Sequence, residues 1–224
     1  MKVIFAEARS KSAVKVQKDE LEKLPKTVGL LTTVQFIGQL DSIKKQVEDS
    51  GRKVLIGRGI RTKYEGQVLG CDSSAAREDA DGFLYVGTGI FHPLGIALRT
   101  EKPVFILDPA SGKIEELGRE KVEKVKKRRK GALLKLLNSE RIGILVSLKP
   151  GQEMLGEALR IKKLLESRGK SAYIFIFDTL DFSELENFPF VKCFLNLACP
   201  RISEDFERFS RPVADYSDAK EFLK

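Results

Sequence analysis

One pattern occurs twice in this chain and narrows the folds open to it: a short apolar run, an amphipathic stretch, then a second short apolar run. In the first copy Val28-Gly-Leu-Leu-Thr-Thr33 reads as a buried strand, Gln39 to Ser50 carries Leu40, Ile43 and Val47 at helical spacing, and Lys53-Val-Leu-Ile56 reads as the next strand. Gly51 stands where a helix stop belongs. The second copy has Arg141 to Ser147 as a strand, Glu153 to Arg168 as a helix with Leu155, Ala158, Leu159, Ile161, Leu164 and Leu165 apolar, Gly169 as the stop, and Ala172 to Phe177 as a strand. A strand-helix-strand unit has its home in a parallel sheet with helices on its faces. The expected fold class is therefore α/β, with two similar domains, each a parallel sheet flanked by helices. Phe83 to Val86, Val104 to Leu107 and Phe194 to Leu197 supply further strands.

The spacing divides the chain into a first α/β domain over 1–116, a bridging basic segment over 117–138 and a second α/β domain over 139–224. Within the bridge, Val122, Val125, Leu133, Leu134, Leu136 and Leu137 describe a helix with Gly131 as its point of interruption. Lys121, Lys124, Lys126, Lys127, Arg128, Arg129 and Lys130 crowd the same stretch, which holds much of the net charge of +8. A solvated face on a linking helix accounts for this run, and recruitment of an acidic protein or RNA is the alternative. The run lacks the interleaved aromatics of an RNA-binding surface.

With 224 residues, the chain can bury two separate cores. No apolar stretch approaches the roughly 20 residues of a membrane span, and the amino terminus lacks the apolar core of a signal peptide. Three widely spaced cysteines do not make a disulfide framework, so a reducing compartment, the cytoplasm, is expected.

Two of those cysteines stand in similar settings. Cys71 closes Leu69-Gly70-Cys71 and Cys199 closes Leu197-Ala198-Cys199, each after a small residue at the end of an apolar run and each downstream of a strand-helix-strand unit. They read as matching positions in two copies, with thiols free to face a cleft. Neither has a partner at C-x-x-C spacing. Cys193 differs: alternation in Val191-Lys-Cys-Phe-Leu-Asn-Leu197 places it with Val191, Leu195 and Leu197 on a buried face, where cysteine acts as a small hydrophobe.

The densest polar signal is Gly87-Thr88-Gly89-Ile90-Phe91-His92-Pro93-Leu94-Gly95, directly after a strand. A glycine-rich turn there lets backbone N–H groups approach a ligand, and a helix starting near Pro93 adds its positive end. The run is neither a dinucleotide fingerprint nor a P-loop. His92 is the only histidine and a candidate general acid or base, although a lone histidine beside an aromatic is more often structural. In Lys149-Pro-Gly-Gln152 the Gln152 amide can donate to a carboxylate and accept from an amine. Arg201, just past Cys199, offers a fork of donors for a carboxylate.

These residues carry a resemblance. Tyr64-Glu-Gly-Gln-Val-Leu-Gly-Cys71-Asp72, Ala80 to Gly95 around His92, Lys149-Pro-Gly-Gln152 and Ala198-Cys-Pro-Arg201 resemble, in order along the whole chain, the archaeal diphthamide synthase family of 3-amino-3-carboxypropyl-histidine synthases. The resemblance implies three similar α/β domains, each giving one cysteine to a 4Fe-4S cluster, in a homodimer. It also implies the reaction: with an electron from a donor, the Cγ–S bond of S-adenosylmethionine is broken and the 3-amino-3-carboxypropyl group passes to a histidine of elongation factor 2. On this basis Cys71 and Cys199 are cluster ligands, Gln152 and Arg201 clamps for the amino-acid end, and Gly87, Thr88, Gly89 and His92 residues that shape the site.

Set against the family, the chain is expected to lack the first domain and its cysteine. Met1 to Ala8 resembles the closing strand of that domain. Three explanations fit: another polypeptide supplies the domain in a homo- or hetero-oligomer, the chain is a fragment or a mis-started frame, or it has become a non-catalytic accessory or small-ligand-binding subunit.

Overall fold

The computed structural model describes residue 4, residues 6–203 and residues 209–224. The chain divides into two units, residues 1–123 and 124–224. The first runs α1 (Lys18–Leu21), β1 (Thr27–Thr32), a 3-10 turn (Val34–Gln39), α2 (Leu40–Glu48), β2 (Lys53–Leu55), β3 (Gly82–Val86), α3 (Phe91–Thr100), β4 (Val104–Leu107), β5 (Ile114–Glu116) and the start of α4 (Arg119–Asn138). The second continues with the rest of α4, β6 (Arg141–Ser147), α5 (Leu155–Ser167), β7 (Ser171–Phe177), α6 (Phe182–Glu186), β8 (Cys193–Asn196), a 3-10 turn (Pro200–Ser203), β9 (Val213–Asp215) and α7 (Tyr216–Ala219). Among the described residues no helix is long and apolar enough to cross a membrane. Of the strand expected over 1–8, residues 1–3 and 5 lie outside the described residues, and Ile4 and residues 6–8 are not in a strand.

The strand orders are β2-β1-β3-β4-β5 and β7-β6-β8-β9. The expected α/β architecture is present in both units, with one difference. β5 runs antiparallel to β4, because residues 108–113 form a tight turn in place of a crossover helix. The Asp108 carboxylate accepts from the backbone N–H of Ala110 at 3.0 Å and of Ser111 at 2.7 Å, which folds the chain straight back. The second sheet is parallel throughout.

Helices cover both faces of such sheets, so the central strands are apolar along their whole length. In the first unit Val28, Leu30, Leu84 and Val86 meet Leu40, Ile43 and Val47 of α2. In the second, Ile142, Ile144, Cys193 and Leu195 pack with Leu136 of α4 and Ala158 and Ile161 of α5, while Leu145 and Phe194 join Leu185 on the opposite face. Val191 belongs to that opposite face and not, as alternation suggested, with Cys193, because β8 begins only at Cys193. α4 runs unbroken through Gly131. A single helix-interior glycine costs only about 1 kcal/mol relative to alanine, which the packing of Leu133 and Leu136 offsets.

The register reveals the repeat at residue level. Gly29 pairs with Phe83 and Gly143 with Phe194, and in each pair a Cβ on the glycine would fall 2.4 or 2.5 Å from a ring carbon of that phenylalanine. Aligning Phe83 with Phe194 then sets Thr88 on Cys199. The two cysteines are therefore not repeat equivalents: Cys71 lies in the connection before β3, whereas Cys199 follows β8. The apolar Val68-Leu69 that resembled a strand end belongs to a loop held to β1 through Val68 N–H to Thr32 O at 2.8 Å.

Candidate functional site

In the first unit, Cys71 is exposed at the tip of a two-residue turn closed by reciprocal backbone hydrogen bonds between Leu69 and Asp72 at 2.9 and 3.1 Å. Two buried side chains brace the loop behind it. Gln67 Oε1 accepts from Lys63 N–H at 3.0 Å and Tyr64 N–H at 3.1 Å. The Asp72 carboxylate accepts from Arg61 N–H at 2.6 Å, Ser74 N–H at 2.8 Å and the Ser74 hydroxyl. Burial would raise the Asp72 pKa, but the Ser74 and Arg61 donors outweigh it and hold the carboxyl below its ordinary value.

Gly70 seats this turn against α3. A Cβ there would lie 2.3 Å from the Phe91 ring, so only glycine lets the backbone rest on that side chain. The structure thus brings Cys71 to the end of β3 where the Gly87-Thr88-Gly89 turn also lies. Gly87, with φ 151°, is buried against the Tyr85 ring, and a Cβ would meet the Tyr85 hydroxyl at 2.8 Å. Thr88 and Gly89 are exposed. His92 is half-buried, stacks on Tyr85 with ring centroids 5.7 Å apart, and places Nδ1 3.3 Å from the Tyr85 hydroxyl. Burial pushes the Tyr85 phenol up to about 12 against a hydrogen bond with Thr33, so it stays protonated at neutral pH. In this setting His92, in the first turn of α3, is a partner of a buried tyrosine.

In the second unit, Lys149, Gln152, Cys199 and Arg201 line one cavity of about 310 Å³ together with Ser147, Phe177, Asp178 and Phe182. Each arrives from the carboxyl end of a strand, the edge where open α/β sheets bind ligands. Lys149-Pro150-Gly151-Gln152 has the signature of a type II turn: proline second, glycine third with φ 81°, and Gln152 N–H to Lys149 O at 3.0 Å. The cavity can neutralise a carboxylate with Lys149 and Arg201 and oppose an ammonium with Asp178. Asp178 was not among the sequence candidates; its position directly after the β7 run was the available signal.

The Cys199 loop is tied down from below. The Asn196 side chain donates to Cys199 O at 2.9 Å and to Asp215 Oδ1 at 2.8 Å, and its own Oδ1 accepts from Ala198 N–H at 3.0 Å. The Ser203 hydroxyl also donates to Asp215. Burial raises the Asp215 pKa, with the Ser203 and Asn196 donors opposing it. Sequence reasoning missed this triad because its members come together only through strand pairing. Cys193 is fully buried, and burial pushes its thiol up to about 12. It is therefore a core residue and a poor thiolate.

Among the described residues no three or more His, Cys, Asp or Glu side chains converge as a metal site. Cys71 and Cys199 instead present single accessible sulfurs on braced loops. That chemistry fits shared, soft-metal ligation completed by further donors.

The chain is thus an α/β protein of two open sheets, with Cys71 exposed on a loop of the first unit and Cys199 lining a cavity of the second. Comparison with known proteins makes this particular. The family model described as "Putative diphthamide synthesis protein" matches residues 1–224, and the chain belongs to that family. It is 36% identical over 211 residues to the 2-(3-amino-3-carboxypropyl)histidine synthase of Pyrococcus horikoshii, covering 93% of this chain and 60% of the relative. It is 28% identical over 194 residues to 2-(3-amino-3-carboxypropyl)histidine synthase subunit 1 of Gibberella zeae, covering 84% of this chain and 41% of the relative. The crystal structure of Dph2 from Pyrococcus horikoshii with 4Fe-4S cluster superposes with a TM-score of 0.79 at 35% identity, over 92% of this chain and 59% of that one. The chain thus spans less than two thirds of the length of these relatives.

Proposed function

We propose that the chain is a component of the 4Fe-4S enzyme that transfers a 3-amino-3-carboxypropyl group from S-adenosylmethionine to a histidine of elongation factor 2, in the reducing cytoplasm. Cys71 and Cys199 each give a thiolate to the cluster, and a further thiolate comes from another domain or polypeptide. When bound, such a cluster supplies the electron that breaks the carbon–sulfur bond of the sulfonium, and an external donor must replenish it. The chain's own residues hold and orient: Lys149, Gln152 and Arg201 grip the amino-acid end of the substrate, Asp178 faces its ammonium, and Gly87, Thr88 and Gly89 shape the surface beside Cys71. Of three C–S bonds on a sulfonium, the one broken is chosen by this orientation. His92 is the candidate for contact with the incoming group, held by Tyr85.

The observation that carries this reading is the single cavity in which Cys199 stands with Lys149, Gln152 and Arg201. A soft ligand beside two cations and an amide suits a metal centre next to an amino-acid substrate. A second reading is a non-catalytic accessory subunit of the same system.

Anaerobic reconstitution of the full chain with iron and sulfide tests the proposal, with iron content and EPR as readouts. The chain alone is expected to hold a substoichiometric cluster that falls to background in Cys71→Ala and Cys199→Ala but survives in Cys193→Ala. Equal iron in all variants would overturn it, as would a stable stoichiometric cluster in Cys71→Ala. The accessory reading gains if both cysteine variants still restore diphthamide in a deficient strain.

A further inference from the structure

Below the cavity of the second unit lies a buried polar cluster that metal binding and substrate grip do not use. Asn196, Ser203 and Asp215 are 2%, 9% and 7% exposed, in a core otherwise formed by aliphatic and aromatic side chains. Buried polar groups are costly unless paired, so each such group needs a reason. Here the pairing is complete and directional. Asn196 spends one amide proton on Asp215 Oδ1 at 2.8 Å and the other on the carbonyl of Cys199 at 2.9 Å, while its oxygen takes Ala198 N–H at 3.0 Å. Ser203 turns its hydroxyl to Asp215, stands 3.2 Å from the Asn196 nitrogen and 3.1 Å from Pro200 O, and its own carbonyl accepts from Arg128 of α4 at 2.6 Å. The effect is a clamp on the Cys199 carbonyl and on the N–H of Ala198, the residue before it.

The first unit contains the same device with other residues. The alignment of Phe83 with Phe194 that sets Thr88 on Cys199 also sets Tyr85 on Asn196 and His92 on Ser203. Tyr85 and His92 are in contact at 3.3 Å, as Asn196 and Ser203 are at 3.2 Å. In both copies, then, a buried polar side chain near the strand end reaches across to the helical turn that follows and fixes the intervening loop. Only in the second copy does that side chain bond the backbone of a cysteine.

We propose that Asn196, oriented by Asp215 and Ser203, is the positioning residue that sets the backbone of Cys199 and so the direction in which its thiolate enters the cavity. Asp215 selects the rotamer: its Oδ1 can only accept from the amide nitrogen, which leaves the amide oxygen facing Ala198 N–H and the second amide proton facing Cys199 O. The proposal builds on the reading of Cys199 as a cluster ligand, but its test needs no cluster.

The experiment is site-resolved iodoacetamide labelling of the apo full chain, read by mass spectrometry, with Cys71 of the same molecules as internal reference. Asn196→Ala is expected to change the Cys199-to-Cys71 labelling ratio by about fivefold, the population effect of one net hydrogen bond. Asp215→Asn keeps the parental ratio, because its amide oxygen still accepts from Asn196. If Asn196→Ala does not fold, Ser203→Ala takes its place and is expected to change the ratio by about twofold or more. A parental ratio in a folded Asn196→Ala chain, or in Ser203→Ala where that serves as the test, overturns the proposal. So does an equal rise at Cys71 and Cys199, since that reports general loosening. Failure of cluster reconstitution with a changed ratio would reject the metal reading and leave the clamp standing.

Discussion

Replacing Gly143 by alanine probes the feature on which the second unit is registered. A Cβ at Gly143 would lie 2.5 and 2.6 Å from two ring carbons of Phe194 and 3.0 Å from Phe175. Carbon atoms rest about 3.5–4.0 Å apart, so roughly 1 Å of overlap must be relieved. Phe194 cannot swing away: it is fully buried, with the Phe175 and Phe209 rings 5.6 and 5.4 Å from it and the Arg211 guanidinium 5.2 Å over its face. Overpacking of this kind costs about 1–3 kcal/mol, and the gain from removing a strand glycine returns roughly 0.5–1 kcal/mol. The net destabilisation of about 0–2.5 kcal/mol, centred near 1 kcal/mol, corresponds to a fall in Tm centred on about 4–8 °C for a unit of about 100 residues. Circular-dichroism melting of the full chain measures it. Gly131→Ala is the control: nothing lies within 4 Å of its Cβ position in α4, so it should stabilise by up to about 1 kcal/mol. A Gly143→Ala chain melting above the parent, as Gly131→Ala should, would refute the close approach of Gly143 to Phe194, and with it the alignment of Thr88 on Cys199.

Cys193 should resist iodoacetamide in the native chain while Cys71 and Cys199 react, and Cys193→Ser should lose about 1–3 kcal/mol in urea unfolding by burying a hydroxyl beside sulfur contacts of only 3.8 and 3.9 Å. Glu157 predicts an acid limit. Its carboxylate is held down to about 2 by Arg160, 2.7 Å away, and by the Tyr216 hydroxyl, against an ordinary value of 4.5. A depressed carboxylate pKa stabilises the fold above the unfolded value, so this contribution is present above pH 4.5 and is lost as pH falls from 4.5 towards 2. Chemical unfolding across that window should show a shallower decline in Glu157→Gln than in the parent; identical pH slopes would refute the assignment.

Much of the architecture was legible because it is written in local periodicity. Val28 to Thr33, Leu40 to Val47 and Lys53 to Ile56 bury most of their apolar residues whatever lies elsewhere in the chain, and Arg141 to Ser147 with Ala158, Ile161 and Leu165 do the same, although Leu159, Tyr173 and Ile176 are exposed. The type II turn at Lys149-Pro-Gly-Gln152 and the burial of Cys193 are likewise consequences of a few adjacent residues. The antiparallel β5 was less legible, because a short polar connection over 108–113 is compatible with several sheet positions until Asp108 caps it. The equivalence of Cys71 and Cys199 was misjudged for a related reason: composition around each cysteine is similar, but which strand precedes it is a matter of pairing.

The sequence by itself determined the two strand-helix-strand units, the family motifs and the separation of one core cysteine from two accessible ones, since hydrophobic periodicity and turn chemistry act over a few residues. Only the tertiary structure decided that Thr88, and not Cys71, occupies the repeat position of Cys199, that Asp178 joins Lys149 and Arg201 around one cavity, and that Asn196 is locked by Asp215. Those relations depend on strand register, which joins residues far apart in the chain. Register is set by the fit of whole sheets, through contacts such as Gly143 against Phe194, and no local pattern carries it.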